Sequence, residues 1–199
     1  MNPITKLRHR LEMRRLLREL GNKGAKSPEL AYSIRVPKDN AYYDFVKHKI
    51  VLPPDIDRKI EEATLAHELA HATGITGTRG NELTKTLMCA SNVIANSPVI
   101  DGAVQMAGGV PVSVAAHLAR LAEEGQANVR GHKALKKVKK GKLTDEEKAS
   151  FIKSMGSYAI TLPVGAVVPP KVLQMGLDIA HPGFAENHKV LYDYIADAC

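Results

Sequence analysis

The stretch His67-Glu68-Leu69-Ala70-His71 is the most informative part of this 199-residue chain. Residues 60–72 around it predict a single helix. Two histidines four positions apart lie on the same face of a helix, so both imidazoles can reach one Zn²⁺ without bending the backbone. Glu68 lies about 100° round the helix from His67, which aims its carboxylate beside that metal. The spacing therefore predicts a zinc site in which a carboxylate can take a proton from a metal-activated water.

A chance match is the alternative, because most histidines on helices are surface residues or hydrogen-bonded core residues. The surrounding helix is mostly small and apolar, however, and two histidines and a glutamate are costly to bury unless they are paired or bind a metal. Thr73-Gly74 then supplies a helix stop just after the second histidine. This context favours the metal site.

A third protein ligand is needed, since a catalytic zinc has three protein ligands and one open position. The amphipathic pattern of residues 114–134 predicts a second helix, and Glu124 and Asn128 share one face of it at i and i+4. Glu124 is the predicted third ligand, and Asn128 is predicted to accept a hydrogen bond from the other nitrogen of a ligating histidine. Glu123 is a competing ligand candidate, and an ordinary exposed glutamate is the alternative for both.

The motifs H-E-L-A-H and, further on, E-G-Q-A-N resemble those of the gluzincin zinc metallopeptidases. In particular, the chain is similar to the HtpX-like and CAAX prenyl protease family, whose second motif reads E-x-x-A-D, so Asn128 stands where that family has aspartate. ImmA/IrrE-like and ArdC-like metallopeptidases have similar motifs and remain alternatives. The resemblance implies an α+β, zincin-like fold: a small antiparallel sheet, an active-site helix carrying H-E-x-x-H and a second helix carrying the third ligand.

The resemblance also implies an activity, hydrolysis of peptide bonds in a peptide or protein substrate by one Zn²⁺. The implied ligands are His67, His71 and Glu124, with Glu68 as general base. The family has a His-Pro pair further on, followed by a basic residue. His181, which a proline follows, matches this pair only in part. By resemblance, His181 or else His188 approaches the metal or steadies the oxyanion.

The rest of the chain predicts a basic N-terminal helix in residues 1–24, followed by one zincin-like domain in residues 25–199. Residues 31–36 and 42–52 predict the two strands of a hairpin. By resemblance, the strand before the H-E-x-x-H helix lies at the edge of the sheet, where an extended peptide can pair with it. Thr144-Asp145-Glu146-Glu147 is a capping box that predicts the start of a short helix.

The net charge of +7 comes mostly from two basic runs, residues 6–18 and 130–142. Such runs attract phosphate, whether on an anionic membrane surface or on nucleic acid, and plain solvated charge is the alternative. Residues 86–118 and 155–170 are poor in charge, but proline, asparagine and aspartate interrupt them. Buried packing is therefore favoured over membrane insertion, which stays open.

Two further functions are compatible with these features. One is a metal-stabilised structural or binding protein, associated with a virion or a membrane, although zinc retention alone does not need Glu68. The other is a nucleic-acid-binding protein, which leaves H-E-x-x-H unexplained. The first residues contain no apolar segment typical of a secretory signal, which predicts a cytoplasmic or membrane-associated protein.

Overall fold

The computed structural model describes residues 2–21, 26–38, 40–105, 107 and 110–153. It confirms the α+β class. The elements, in chain order, are α1 (Pro3–Glu19), β1 (Glu29–Tyr32), β2 (Tyr42–Asp44), β3 (Lys49–Leu52), α2 (Glu61–Ala72), α3 (Glu82–Asn96), α4 (Pro98–Val104) and α5 (Val110–Val138). Residues 145–153 are also helical. The predicted residues His181 and His188 lie outside the described part of the chain.

Two compact units are present among the described residues. The first consists of residues 2–85 and 123–153, and the second of residues 86–122. The core of the first unit is formed by α1, the sheet, α2 and the later part of α5. Its largest fully buried side chains are Leu16, Ile50, Leu52, Leu65, Leu69 and Leu135.

The sheet is mixed, so the prediction of an antiparallel sheet is wrong for one of its two strand pairs. The strand order is β1-β3-β2, with β1 parallel to β3 and β2 antiparallel to it. Residues 42–52, predicted as one strand, form the hairpin themselves. The chain reverses because Asp44 accepts a hydrogen bond from the backbone N–H of Lys47 at 2.8 Å and His48 adopts a positive φ of 49°. A local side-chain turn of this kind competes with continuation of a strand.

The strand that precedes α2 is not an edge strand, which corrects the expectation taken from the family. β3 is the central strand, and its residues Ile50, Val51 and Leu52 are buried. Both of its edges already pair with β1 and β2. A bound peptide therefore cannot pair with β3.

The basic N-terminal helix is confirmed as α1, and it belongs to the first unit rather than standing apart from it. Arg8 Nη2 lies 2.6 Å from Glu61 Oε2, and the buried His9 places its Nε2 2.6 Å from Glu61 Oε1. The Tyr32 hydroxyl lies 3.0 Å from His9 Nδ1. This cluster links α1, β1 and the first turn of α2. Leu11 of α1 is half exposed, whereas Leu16 and Leu17 of the same helix are buried.

The second unit contains a polar cluster of its own. Asp101 accepts hydrogen bonds from Ser113 and from Gln105, and His117 Nε2 lies 3.4 Å from its Oδ2. A helix break after residue 96 interrupts the charge-poor stretch, as its asparagine and proline residues predicted. None of the helices in the described residues is long and apolar enough to cross a membrane. Residues 155–170 lie outside the described part.

The capping box is confirmed at the start of the helical residues 145–153. Glu147 accepts a hydrogen bond from the Thr144 backbone N–H at 2.9 Å, and its own N–H donates to Thr144 Oγ1 at 3.2 Å. Glu147 also pairs with Lys139, which lies just after α5. The box therefore ties the end of α5 to the next helix.

We expect Glu61→Gln to destabilise the first unit by about 1–3 kcal/mol, because the buried Glu61 carboxylate joins Arg8 and His9. Burial raises the pKa of Glu61, but His9 and Arg8 lower it more, so the pKa lies below its ordinary value of 4.5. A carboxyl with a lowered pKa in the folded state stabilises that state above the unfolded pKa. This stabilisation is lost as the pH falls through the folded value. Urea unfolding should show the full difference from wild type near pH 7 and a shrinking difference below pH 4.5.

Glu29→Gln is the control for this experiment, because Glu29 is exposed on β1 and the substitution removes the same charge. It should change the free energy of unfolding little at any pH. A pH-independent effect of Glu61→Gln would contradict the ionic contribution.

Candidate metal centre

Helix α2 carries the first half of the site. Its inner faces are lined with small or branched apolar residues, all buried: Ala63, Leu65, Ala66, Leu69, Ala70 and Ala72. Small side chains allow a neighbouring helix to approach closely. His67 and His71, one turn apart, then project from α2 toward α5.

Glu124 on α5 meets the two histidines. His67 Nε2 lies 3.0 Å from His71 Nε2, and Glu124 Oε2 lies 3.2 Å from the former and 3.4 Å from the latter. The structure thus brings together His67, His71 and Glu124 in an arrangement that could hold a metal ion. His71 and Glu124 are buried and His67 is partly exposed. The side of the site at His67 is therefore the side nearest solvent.

The other nitrogen of each imidazole is already engaged. His67 Nδ1 lies 3.0 Å from Asn128 Oδ1, and His71 Nδ1 contacts Glu123 Oε1. An amide oxygen and a carboxylate only accept hydrogen bonds, so both Nδ1 atoms carry a proton and donate. In the neutral imidazoles both Nε2 atoms then present lone pairs toward the Glu124 carboxylate. Hydrogen bonds at Nδ1 orient metal-binding histidines in the same way.

Glu123 lies beside the three converging groups and is not one of them. Besides contacting His71, its Oε1 accepts a hydrogen bond from the Thr76 hydroxyl at 2.9 Å. The sequence indicated Glu123 only as an alternative metal ligand to Glu124. Each of the two histidines needs its own hydrogen-bond acceptor for Nδ1. Asn128 could be predicted as one acceptor, and the position of Glu123 next to Glu124 was the feature of the sequence that could have indicated the other. Thr76 had no signal, because it lies in the loop after α2.

The electrostatic potential at the site is negative when no metal is bound. Burial disfavours the charged imidazole and lowers the pKa of His71. The carboxylates of Glu123 and Glu124 raise it more, so this pKa lies well above its ordinary value. A field that holds a proton so strongly also attracts a metal cation, which competes with that proton for the same lone pair.

Helix α5 is held against α2 by two further residues. Gly131 has no side chain, and a Cβ there would lie 2.8 Å from the carbonyl oxygen of Ala66 and 3.1 Å from the Cα of His67. Arg130 donates to the carbonyl oxygens of Ala70 and Thr73, each at 2.9 Å. These carbonyls lie at the C-terminal end of α2, where a cation is favoured. The two helices can therefore touch at the metal ligands themselves.

Glu68, the predicted general base, is buried on α2 between the two histidines in sequence. It is not one of the three groups that converge. This placement fits a carboxylate that acts next to a metal rather than on it.

The distances among the ligand atoms fit a bound metal. Ligands about 2.0–2.1 Å from a tetrahedral Zn²⁺ lie roughly 3.3 Å from one another. The three separations here run from 3.0 to 3.4 Å. Two imidazole nitrogens and one carboxylate oxygen are also a common donor set of catalytic zinc sites. The residues present therefore fit the ion that the motifs imply.

Comparison of the chain with known protein families, curated proteins and solved structures gives no match. The case for a function therefore depends on the motifs and on the geometry of the site.

We expect Gly131→Ala to separate the two helices at the metal site. Alanine favours a helix by about 1 kcal/mol over glycine, so a net loss of stability can only come from the contact with Ala66. Overpacking of this kind costs about 1–3 kcal/mol. Because Glu124 and Asn128 move with α5, metal affinity should also fall by about tenfold. Metal titration and urea unfolding measure the two effects. Val129→Ala, at an exposed position of the same helix, should change neither.

We expect Glu123→Gln to weaken metal binding while it preserves the fold. Glutamine keeps an oxygen that can accept the His71 Nδ1 proton, but it removes the charge that makes this imidazole a stronger donor. Loss of such partners costs roughly 10–100-fold in metal affinity. Competition with a chromophoric chelator measures it, and Gln126→Ala, exposed on the same helix, is the control. Unchanged affinity would mean that Glu123 only fills space beside His71.

Proposed function

We propose that this protein is a zinc metallopeptidase of the gluzincin type, with His67, His71 and Glu124 as ligands of one Zn²⁺. The main support is one observation: three donor atoms lie 3.0–3.4 Å apart while both histidine Nδ1 atoms face hydrogen-bond acceptors. The donors come from two helices, as the gluzincin motifs imply.

Such an arrangement is hard to explain as packing alone. Without a proton or a cation between them, two neutral imidazoles with their lone pairs directed at one carboxylate oxygen would repel that oxygen in a buried site, at a cost in stability. A proton offsets part of that cost. A divalent cation offsets more, because all three donors then bind it at once. The same donors would hold other divalent metals, so the preference for zinc rests on the two-histidine, one-carboxylate donor set.

When bound, Zn²⁺ would lower the pKa of a water and polarise the scissile carbonyl. The chain's own residues do the rest. Glu68 takes one proton from the attacking water as the water oxygen forms a bond to the carbonyl carbon. Glu68 then gives this proton to the leaving nitrogen as the carbon–nitrogen bond breaks, and the carboxylate is restored. Asn128 and Glu123 keep the two imidazoles oriented with Nε2 toward the site throughout.

A metal-stabilised protein without turnover is the competing function, and Glu68 distinguishes the two. Metal retention uses only the three ligands and their hydrogen-bonding partners. Hydrolysis also needs a group that takes a proton from the attacking water, and retention of a metal does not. A glutamate at position 68 is therefore easier to explain if it transfers protons.

We expect Glu68→Gln to abolish hydrolysis of an unfolded protein substrate such as casein while the protein still binds one zinc. Glutamine has nearly the shape of glutamate but cannot take the proton, and loss of a general base costs about 10²–10⁴-fold in rate. Metal content by elemental analysis and cleavage by fluorescence release should be measured on the same sample. Glu82→Gln, on an exposed side chain, is the matched control and should remain fully active.

The outcomes separate the alternatives. A wild-type protein that binds zinc but cleaves nothing, with Glu68→Gln indistinguishable from it, would favour the structural function. A Glu68→Gln variant that loses its zinc would show that Glu68 supports the site rather than the reaction. Removal of metal by a chelator should stop cleavage, and added Zn²⁺ should restore it.

A further inference from the structure

A row of lysines lines a groove on the first unit, at the end of α5. Lys133, Lys136 and Lys137 lie at i, i+3 and i+4, so they share one face of the helix, and Lys140 follows in the turn that ends it. All four are exposed. The groove has a volume of about 580 Å³, and Glu19 and Leu20 at the end of α1 form part of its other side.

The cations of residues 130–142 differ sharply in what they contact. Arg130 binds the carbonyls at the end of α2, and Lys139 pairs with Glu62 and Glu147. Lys137 lies 3.8 Å from Glu19, which is the one acidic residue among the described residues that line the groove. Lys133, Lys136 and Lys140 form no ion pair with any residue of the described chain. Arg130 and Lys139 thus have partners within the fold, whereas Lys133, Lys136 and Lys140 are directed to solvent around the groove.

Like charges three and four residues apart on a helix repel each other. Lysines near a helix C-terminus also interact favourably with the helix dipole, but that effect is limited to the last turn. Lys133 lies more than one turn before the end of α5 at Val138. The dipole therefore does not account for the whole row, whereas an anion in the groove would offset the repulsion among all of its members.

We propose that this lysine-lined groove binds the phosphate backbone of a nucleic acid, independently of the metal centre. Consecutive phosphates of an extended strand can be contacted in turn by Lys133, by Lys136 with Lys137, and by Lys140. Positively charged grooves follow nucleic-acid backbones in this manner. In the described part of the chain no aromatic residue lines the groove, so these residues offer no surface on which bases stack, and the binding we propose is independent of base sequence.

A concave site favours a strand over a membrane. A lipid surface is broad, and it meets best a convex or flat face with apolar side chains that enter the acyl region. Among the described residues, only Leu20 and Ala134 contribute apolar side chains to this groove, and both are buried. The exposed lysines along the groove are accessible to a thin flexible polyanion.

The test uses the full chain and a fluorescent oligothymidylate of about twenty nucleotides, with binding followed by anisotropy over a range of salt concentrations. We expect salt-sensitive binding by the wild type. The triple variant Lys133→Gln, Lys136→Gln, Lys140→Gln should bind at least about tenfold more weakly, and the slope of log K against log salt should fall by about 2, since each lost contact removes about 0.7.

The control is a second triple variant with the same loss of charge. Lys26→Gln, Lys47→Gln and Lys142→Gln change three exposed lysines of the same unit that do not line the groove. This variant should retain nearly wild-type binding. Equal weakening in both variants would overturn the proposal, because it would reduce the effect to net charge.

Two more comparisons complete the experiment. Oligonucleotide binding should be the same after chelation of metal and in the Glu68→Gln variant. Failure of the nucleic-acid proposal can therefore be distinguished from failure of the proposed peptidase activity. Vesicles of phosphatidylserine and phosphatidylcholine serve as the other polyanionic surface. Binding to vesicles but not to the oligonucleotide, or to neither at low salt, would overturn the proposal.

Discussion

The close approach of α5 to α2 is the constraint on which the rest of the candidate site depends. Gly131 against the backbone of Ala66 and His67 sets the separation of the two helices. Arg130 fixes the same contact from the other end, by binding the last carbonyls of α2. Only at this separation can a glutamate on one helix reach both histidines of the other. The geometry of the candidate metal site thus depends on a packing contact between residues that take no part in metal binding.

That contact also explains why the site tolerates so much buried polarity. Each polar group of the inner cluster faces a partner from the opposite helix or the adjoining loop: Asn128 faces His67, Glu123 faces His71 and Thr76 faces Glu123. Polar networks of this kind are costly when partly satisfied and specific when complete. A cation among the three donor atoms would complete this one, so metal binding should contribute to the stability of the first unit.

The sequence predicted correctly which side chains come together in this region, but it predicted the neighbouring sheet less well. Fixed helical spacing relates His67 to His71 and Glu124 to Asn128, so each pair could be placed on a face before the fold was known. The role of Glu123 could not be predicted in this way, because it depends on how α5 is rotated against α2. Gly131 and Arg130 determine that rotation. The prediction of the sheet was wrong for a related reason. The parallel pairing of β1 with β3 is a long-range contact, and the reversal at Asp44–His48 depends on one side-chain hydrogen bond and one unusual backbone angle.

Helix α5 also separates two opposite charges by its own geometry. Lys133 lies about 180° round the helix from Glu124, and Lys136 and Lys137 lie on either side of that line. Lys139 returns to within about 60° of the ligand face, and there it is paired with two carboxylates. The inner face of α5 thus keeps the negative potential that a metal requires, while Lys133 and Lys136, which form no ion pair within the described residues, lie on the outer face. The later part of this helix can therefore carry the proposed cation site and the proposed anion site on opposite faces.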